Sequence, residues 1–366
     1  MIALVLAAYV GSAACARCHS PIYDRWKVTR MANVVRDPKA HPDAFIPDFS
    51  TPDPLLTFTK EAVAFIYGSK WKQRYFAKAG NDYVPLPAQW DVTKRIWRPY
   101  TVRRPTSQAC DGCHSVNFDI TTNTVTEWNV GCERCHGPAG DHVKQPSRAN
   151  IVNPARLEPV RANDACIQCH SEGQPLAAPA DGRTFSWPVG FQMGANLRDF
   201  WKLADAALGS QTTLHFADGT GRENRMQGND FVQSVMYTRG VTCFSCHDPH
   251  GSGNRSELVK SARGVCLTCH GPKSANGPHT ATIETHTHHQ AGSPGSECVN
   301  CHMPAIQQVI GEEKVRSHTF KFIPPSDTET LKVPNPCTTC HVGKPNAWAS
   351  AALRTWPEFS PWRIGR

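Results

Sequence analysis

The sequence lacks an apolar run of the roughly 20 residues that a membrane-spanning helix needs. The apolar run at residues 2–8 is far shorter, and no basic residue precedes it. Ala7 and Ala8 are small enough for a signal-peptidase site, so residues 1–8 are expected to be the remnant of an export signal. We therefore expect a periplasmic or extracellular protein without a transmembrane segment.

The sequence also lacks any cysteine outside one recurring pattern, Cys-x-x-Cys-His. There are 16 cysteines, and at two per motif they make eight complete motifs with none left over. The motifs are Cys15/Cys18/His19, Cys110/Cys113/His114, Cys132/Cys135/His136, Cys166/Cys169/His170, Cys243/Cys246/His247, Cys266/Cys269/His270, Cys298/Cys301/His302 and Cys337/Cys340/His341.

This pattern is typical of c-type haem attachment. Two thioether bonds join the cysteines to the haem vinyl groups, and the next residue, a histidine, is directed at the iron. A disulfide framework needs no histidine after every second cysteine. Structural zinc would instead use paired Cys-x-x-Cys units that close on one metal. The sequence predicts eight covalently attached haem c groups, each with its iron bound by a motif histidine.

The motifs follow no fixed period, and two long stretches carry none. The expected organisation is an N-terminal haem, a three-haem cluster and a four-haem cluster, separated by two haem-free insertions. The predicted segments are the export remnant at 1–8, the first haem and insertion at 9–109, the three-haem cluster at 110–170, the second insertion at 171–242, and the four-haem cluster with a C-terminal helix at 243–366.

With eight haems, each has only about 46 residues around it, too few for a conventional hydrophobic core. The 29 prolines and 26 glycines favour short helices and long loops. The predicted fold is mostly α with long loops and a small β-hairpin, and stacked haems form its core. We place the hairpin at residues 56–76 and further helices at 196–208 and 347–356, and expect residues 274–289 to be irregular.

The formal net charge is +8, which by itself would favour an acidic partner. Each ferric haem with two propionates contributes about −1, so eight haems bring the protein near neutrality. Nucleic acid binding is therefore not expected. The expected partners are redox proteins, either other cytochromes or a quinol-oxidising complex.

Nine of the 17 histidines lie outside the motifs, close to the eight needed as sixth iron ligands. Any single one could instead be a surface or propionate-bonded residue, and zinc is an alternative for the group near residue 288. Met31, as a sixth ligand of the first haem, would raise its potential, although a core methionine is an equal alternative. The nine histidines are His41, His142, His215, His250, His279, His286, His288, His289 and His318.

Several motif neighbourhoods resemble a known group of multihaem cytochromes. Residues 132–138, Cys-Glu-Arg-Cys-His-Gly-Pro, followed by His142, resemble a segment of the tetrahaem cytochrome of nitrifying bacteria and of hydroxylamine oxidoreductase. Residues 243–251, ending in Cys-His-Asp-Pro-His-Gly, resemble the doubled Cys-x-x-Cys-His family. Residues 301–304, Cys-His-Met-Pro, with His318 downstream, are similar to the end of the pentahaem nitrite reductases and of multihaem cytochromes fused to tetratricopeptide repeats.

The resemblance implies an octahaem c-type cytochrome of the hydroxylamine-oxidoreductase-like superfamily. It also implies that the downstream histidines are distal ligands, here His142, His250, His289 and His318. One departure is that no motif ends in lysine, so the lysine-ligated catalytic haem of the pentahaem nitrite reductases has no counterpart.

Two functions remain open on the sequence alone. The first is an electron carrier with six-coordinate irons, which could also polymerise into an extracellular filament through contacts that do not close. The second is a haem oxidoreductase for nitrite, hydroxylamine or a sulfur oxyanion, in which one iron has no sixth ligand and can bind the substrate. If Met31 does not bind the iron of the first haem, that haem is the candidate for the open position. Basic residues at 60–104 could attract such an anion, but are expected to neutralise propionates or dock a partner. Electron transfer is the favoured interpretation, and no catalytic residue is assigned.

The motif count predicts the mass of the mature protein. Intact mass spectrometry, or a pyridine haemochrome assay per polypeptide, should give eight haems because every motif is complete. Seven or fewer haems would contradict the assignment of all eight motifs.

Overall fold

The computed structural model describes residues 8–177, 179, 181–272, 274–278 and 280–356. Almost all of the predicted export remnant, the candidate ligand His279 and residues 357–366 lie outside the described residues. Among the described residues, no helix combines the length and apolarity required to cross a membrane.

The chain divides into two compact units. Unit 1 comprises the described residues of 1–169, 173–203 and 249–251, and unit 2 comprises those of 170–172, 204–248 and 252–366. The expected insertion at 171–242 is thus divided between the units. The boundary also passes between Cys169 and His170, inside the fourth motif.

Most helices are short, as expected for a chain that wraps cofactors. Many of them carry a motif or flank one. The α-helices are α1 (Ser12–Trp26), α2 (Thr106–Ala109), α3 (Asp111–His114), α4 (Cys132–His136), α5 (Gly140–Lys144), α6 (Pro159–Ile167), α7 (Gln227–Phe231), α8 (Val235–Thr238), α9 (Ala262–His270), α10 (Ile283–Thr287), α11 (Cys298–His302), α12 (Pro325–Leu331), α13 (Pro336–Cys340) and α14 (Asn346–Arg354).

The strands form one five-stranded antiparallel sheet, in the order β1-β2-β3-β4-β5, and three two-stranded pairs. The pairs are β6 with β7, β8 with β9 and β10 with β11. The strands are β1 (Val35–Arg36), β2 (Phe65–Tyr67), β3 (Lys72–Ala79), β4 (Asp82–Asp91), β5 (Ile96–Pro99), β6 (Ser115–Val116), β7 (Glu127–Trp128), β8 (Gly173–Pro175), β9 (Trp201–Leu203), β10 (Ala305–Ile310) and β11 (Glu313–Arg316).

The five-stranded sheet has a protein core of its own. Tyr75 and Trp97 pack with a buried aliphatic group, and Phe49 joins them with its ring centroid 5.3 Å from that of Trp97. A second cluster, built on Phe65 and Phe76, packs against Cys110 of the second motif. The sheet therefore has a haem-free core beside a cluster that reaches a haem-attachment site.

The structure corrects several secondary-structure predictions. The strands at 65–67 and 72–79 do form the predicted hairpin, but it is part of the larger sheet, and residues 56–62 are not a strand. The helix predicted at 196–208 is wrong: a 3₁₀ turn at Leu197–Asp199 leads into β9, which pairs with β8. The apolar residues of this segment have the spacing of a helix, but pairing with β8 gives a strand instead. Leu197 and Trp201 are buried in this arrangement, so tertiary contacts outweigh the local preference.

Two further predictions concern the C-terminal part. The predicted helix at 347–356 is confirmed as α14. The stretch 274–289, expected to be irregular, contains the short helix α10, whose N-cap Thr282 accepts a hydrogen bond from the backbone of Thr285. A capped single turn of this kind is too short to show a helical apolar period.

The haem-free core should be separable from haem binding by mutation. Trp97→Ala should lower the free energy of unfolding by about 3–5 kcal/mol, because it leaves a cavity in this aromatic cluster. The low-spin haem spectrum of the folded variant should stay as in the wild type. Urea unfolding followed by far-ultraviolet circular dichroism measures the change.

Ile96→Ala is the matched control, because Ile96 is 44% exposed and Trp97 only 7%. The control should change stability by less than about 1 kcal/mol. Equal effects of the two substitutions would contradict a core on that side of the sheet.

Candidate haem-attachment sites and axial ligands

The motif helices place their reactive side chains on one side. In a helical turn, residues at positions i, i+3 and i+4 share a face, and these are the positions of the two cysteines and the histidine. Helices α4 and α11 each begin at the first cysteine of a motif and end at its histidine. Such a turn presents two thiols and one imidazole to the same porphyrin.

In unit 1, cysteines of different motifs lie next to each other. The thiols of Cys15 and Cys132 are hydrogen-bonded, which raises the pKa of Cys15 and lowers that of Cys132 to about 7. The Cys169 thiol lies 3.9 Å from the carbonyl oxygen of Cys113. Burial raises the pKa of Cys135 to about 12, with a further contribution from Cys169. The attachment sites of the first and third haems, the second and fourth, and the third and fourth are therefore neighbours.

Unit 2 has an equivalent series. The thiols of Cys266 and Cys298 are hydrogen-bonded, so the sixth and seventh attachment sites are adjacent. Burial raises the pKa of Cys301 to about 12, and the nearby charge of Cys337 adds to the shift. The seventh and eighth sites are therefore adjacent as well.

Three attachment cysteines depart from the expectation that the haem sites form an enclosed core. Cys18 of the first motif, Cys269 of the sixth and Cys340 of the eighth are exposed, whereas Cys113 of the second is buried. Each exposed residue is the second cysteine of its motif; Cys269 and Cys340 lie at the end of a helix, and Cys18 precedes the kink at His19 within α1. The polypeptide therefore encloses the attachment sites unevenly, and haem attachment at these three cysteines, as at the other motif cysteines, stays a prediction.

Four motif histidines each face a histidine from outside the motifs. Their ring centroids are 6.1–6.4 Å apart, and in three pairs the ring planes are within 15° of parallel. The fourth pair is inclined by 31°. The pairs are His19 with His142 and His136 with His250 in unit 1, and His302 with His286 and His341 with His289 in unit 2.

This separation matches an iron held between two imidazoles. A metal–nitrogen bond of about 2.0 Å and a ring radius of about 1.1 Å would put the two centroids about 6.2 Å apart. Stacking of histidine rings on each other would give no preference for a motif histidine beside a non-motif histidine. All four pairs have this composition. The donor set and its spacing therefore fit haem iron.

Hydrogen bonds at Nδ1 also prepare the rings for a metal. A carbonyl oxygen only accepts, so Nδ1 must donate, and the lone pair is then on Nε2, which can bind iron. Six histidines make such a bond to a backbone carbonyl oxygen at 2.5–3.0 Å. They are His136, His142, His247, His270, His289 and His318.

Burial keeps several of these rings neutral, which is the ligating form. It lowers the pKa of His318 to about 4 and lowers the pKa values of His136 and His247 as well. The charges of His247 and His170 contribute to the shift at His318. His318 therefore lies near the proximal histidines of both the fourth and the fifth motifs.

The remaining candidates are in different surroundings. His41 is exposed, and the His288 ring stacks on Trp356 at 4.4 Å. His215 is 1% exposed, and its Nδ1 is buried without a hydrogen-bond partner among the described residues. Met31 begins a 3₁₀ turn, Met31–Asn33, rather than lying on an α-helix.

The zinc alternative for the histidines near residue 288 finds no support. Among the described residues, no three histidine, cysteine or acidic side chains are grouped so that they could hold a metal ion. His286 and His289 instead face different motif histidines.

A tyrosine–aspartate pair beside the second motif was not predicted. The Tyr67 hydroxyl donates a 2.7 Å hydrogen bond to Asp111, and its ring centroid is 5.6 Å from that of His114. Burial raises the pKa of Asp111 to about 6 and raises that of Tyr67. A motif-internal aspartate and a strand tyrosine carry no sequence signal that links them.

Two family models match parts of the chain. The model of the doubled CXXCH motif matches residues 237–275, and the model of cytochrome c554 and c-prime matches residues 69–137. Together with the eight motifs, these matches decide the class. The chain is a multihaem c-type cytochrome.

Named relatives of this cytochrome include two curated proteins. It is 26% identical to the multiheme cytochrome MtrA of Shewanella baltica (strain OS185) over 150 residues, covering 39% of this chain and 42% of that protein. It is 22% identical to the dissimilatory sulfite reductase MccA of Wolinella succinogenes over 397 aligned positions, covering 81% of this chain and 50% of the relative. The cytochrome thus spans half or less of these relatives.

Solved structures share the fold. The outer cell wall cytochrome OcwA matches with a TM-score of 0.79 and 23% identity, over 95% of this chain and 86% of that one. The undecaheme cytochrome from the S-layer of Carboxydothermus ferrireducens matches with a TM-score of 0.56 and 18% identity, over 95% and 60%.

The histidine pairs lead to a direct prediction. His142→Ala and His250→Ala should each convert one iron to the high-spin state, because each removes the ring that faces a motif histidine. Electronic absorption and electron paramagnetic resonance spectra of the oxidised protein measure the change.

Val143→Ala is the control for His142→Ala, since Val143 is the adjacent residue and is 39% exposed. It should leave every iron low-spin. If both histidine variants also stay fully low-spin, the pairs are not iron ligands.

Proposed function

We propose that this cytochrome is an electron carrier that holds eight haems and works outside the cytoplasm. The observation that carries the proposal is the set of four histidine pairs at the separation of an iron bridge. An iron with two histidine ligands has no open position for a substrate, so it exchanges electrons only.

The proposed ligand assignment follows from the pairs. His142 serves the first iron in place of Met31, His250 serves the third, His286 the seventh and His289 the eighth. His318 serves the fourth or the fifth iron. The other irons draw on the remaining candidates, His41, His215, His279 and His288.

Adjacent attachment sites support electron transfer within each unit. In unit 1 the contacts join the first haem to the third, and the fourth haem to both the second and the third. In unit 2 they join the sixth, seventh and eighth haems in series. Neighbouring porphyrin edges are what stepwise transfer between haems requires.

Charge on the sheet of unit 1 supports docking of a redox partner. The turns before β3 and after β4 lie at the same end of the sheet, and they carry Lys70, Lys94 and the exposed Arg95. Arg98, on β5, donates a 2.7 Å bond to the buried Asp91. We expect this end to bind the acidic face of another cytochrome or of a quinol-oxidising complex.

The names of two similar structures, an outer cell wall cytochrome and an S-layer cytochrome, support a place at the cell surface. The proposed location of this chain is therefore periplasmic or extracellular. Self-association into an oligomer or filament would extend the path between haems and is part of the proposal.

A haem oxidoreductase for nitrite, hydroxylamine or a sulfur oxyanion is the second candidate. It is favoured by the alignment with a dissimilatory sulfite reductase over 81% of this chain. This candidate requires one iron with an open position.

Electron paramagnetic resonance of the fully oxidised protein separates the two candidates. The carrier proposal predicts low-spin ferric signals only, because every iron has two axial ligands. The reference is His142→Ala, which shows the high-spin intensity of one open iron. A wild-type high-spin signal of that size, lost on adding sulfite or nitrite, would favour the oxidoreductase.

A further inference from the structure

The carboxylate of Asp230 is one of the most enclosed charged groups in unit 2. Asp230 lies in α7 and is 0% exposed. It accepts four hydrogen bonds: one at Oδ1 from the backbone of Gly221, at 2.7 Å, and three at Oδ2. The Oδ2 donors are Gln307 Nε2 at 2.9 Å, Ser317 Oγ at 2.6 Å and the backbone N–H of His318 at 2.9 Å.

The four donors favour the ionised form of this group, against burial, which raises its pKa to about 6. All four are N–H or O–H groups that point at the carboxylate, and an ionised carboxylate is an acceptor only, with room for about four such bonds. A protonated carboxyl group would direct its own O–H at one of these donors, and the two hydrogens would repel each other. The geometry therefore holds a negative charge inside unit 2, next to the backbone of His318.

The bonds determine where the His318 ring lies. Ser317 and His318 are bound to the carboxylate, and His318 Nδ1 is hydrogen-bonded to the carbonyl oxygen of Arg316 at 3.0 Å. Arg316 is fixed in turn, because Nη1 donates to the carbonyl oxygens of Val299 and Met303 at 2.6 and 2.9 Å. The segment 316–318 is thus held at both ends, and the ring is held with its Nε2 lone pair available.

Helix α7 also contacts a motif histidine. The backbone N–H of Gly228, two residues before Asp230, donates a 2.7 Å bond to the carbonyl oxygen of His170. One short helix therefore holds the backbone of a proximal histidine and, through Asp230, the backbone of a histidine assigned as distal. Charges of His170 and His318 are close enough to influence each other.

We propose that Asp230 is a positioning residue that fixes His318 for iron ligation, and that its negative charge lowers the potential of the haem that His318 serves. The inference rests on the proposed ligation by His318. Asp230 itself touches neither porphyrin nor iron in this account; it acts through the backbone and through its field.

Two substitutions separate the positioning role from the charge. Asp230→Asn keeps the shape and an oxygen that can accept the three bonds now made to Oδ2, and it loses the bond from Gly221, so every iron should stay low-spin. The midpoint potential of one haem should rise because a negative charge is lost. Asp230→Ala removes all four bonds, so one iron should become at least partly high-spin. Spectropotentiometry and electron paramagnetic resonance of the holoprotein measure both effects.

The reference variant is His318→Ala, and the haem affected should be the same one. The control is Asp119→Asn, which removes an equal charge at an exposed turn and keeps an oxygen that can accept the two backbone hydrogen bonds made there. The control should leave all potentials and spin states unchanged. If Asp230→Asn does not fold, Ser317→Ala, which keeps the charge and removes one donor, should lower the potential of that haem.

The outcomes distinguish this inference from the proposed function. If His318→Ala leaves every iron low-spin, the ligand assignment is wrong, whatever Asp230 does. If His318→Ala opens one iron but neither Asp230 variant changes its spin state or potential, Asp230 has no positioning role. The same holds if Ser317→Ala is the variant used and the potential of that haem does not fall.

Discussion

The pairing of a motif histidine with a distant histidine is the constraint on which the rest of the structure depends. An iron between two such rings is a cross-link, and like a disulfide or a structural metal it stabilises most when it closes a long loop. His19 and His142 lie in separate segments of unit 1, as do His136 and His250. On the proposed ligation, these cross-links would hold the short helices, many of only four or five residues, in fixed positions.

A second consequence concerns charge and burial. Most of the motif helices are too short to form a hydrophobic core with each other, and in the proposed holoprotein the porphyrins would supply the missing apolar surface. The five-stranded sheet is the exception. It buries Tyr75, Ile66 and Trp97 among side chains of the protein itself, and we propose that its basic residues pair with propionates or dock a partner.

The sequence predicted the class of protein better than its architecture. The motif histidines and their cysteines follow from a spacing that has one common use, and the distal candidates included all four histidines now seen in pairs. The sequence predicted only the hairpin of β2 and β3, because Pro85 and Pro87 obscure the strand pattern of β4. Which histidine faces which motif depends on tertiary contacts, as His250 facing the third motif rather than its own shows.

Single buried polar residues were also beyond sequence reasoning. Asp230 and the Tyr67–Asp111 pair belong to no motif, and their roles exist only through groups brought together by folding. An isolated aspartate in a sequence is most often a solvated residue. Only the burial and the four donors identify Asp230 as a structural charge.

Hydrogen exchange of the chain prepared without haem attachment, compared with the holoprotein, tests the central claim most directly. If iron cross-links hold the fold, slow exchange in the haem-free chain should persist in the sheet at residues 65–99 and be lost around His142, His250 and His318. Native-like protection around those three histidines without haem would contradict the account.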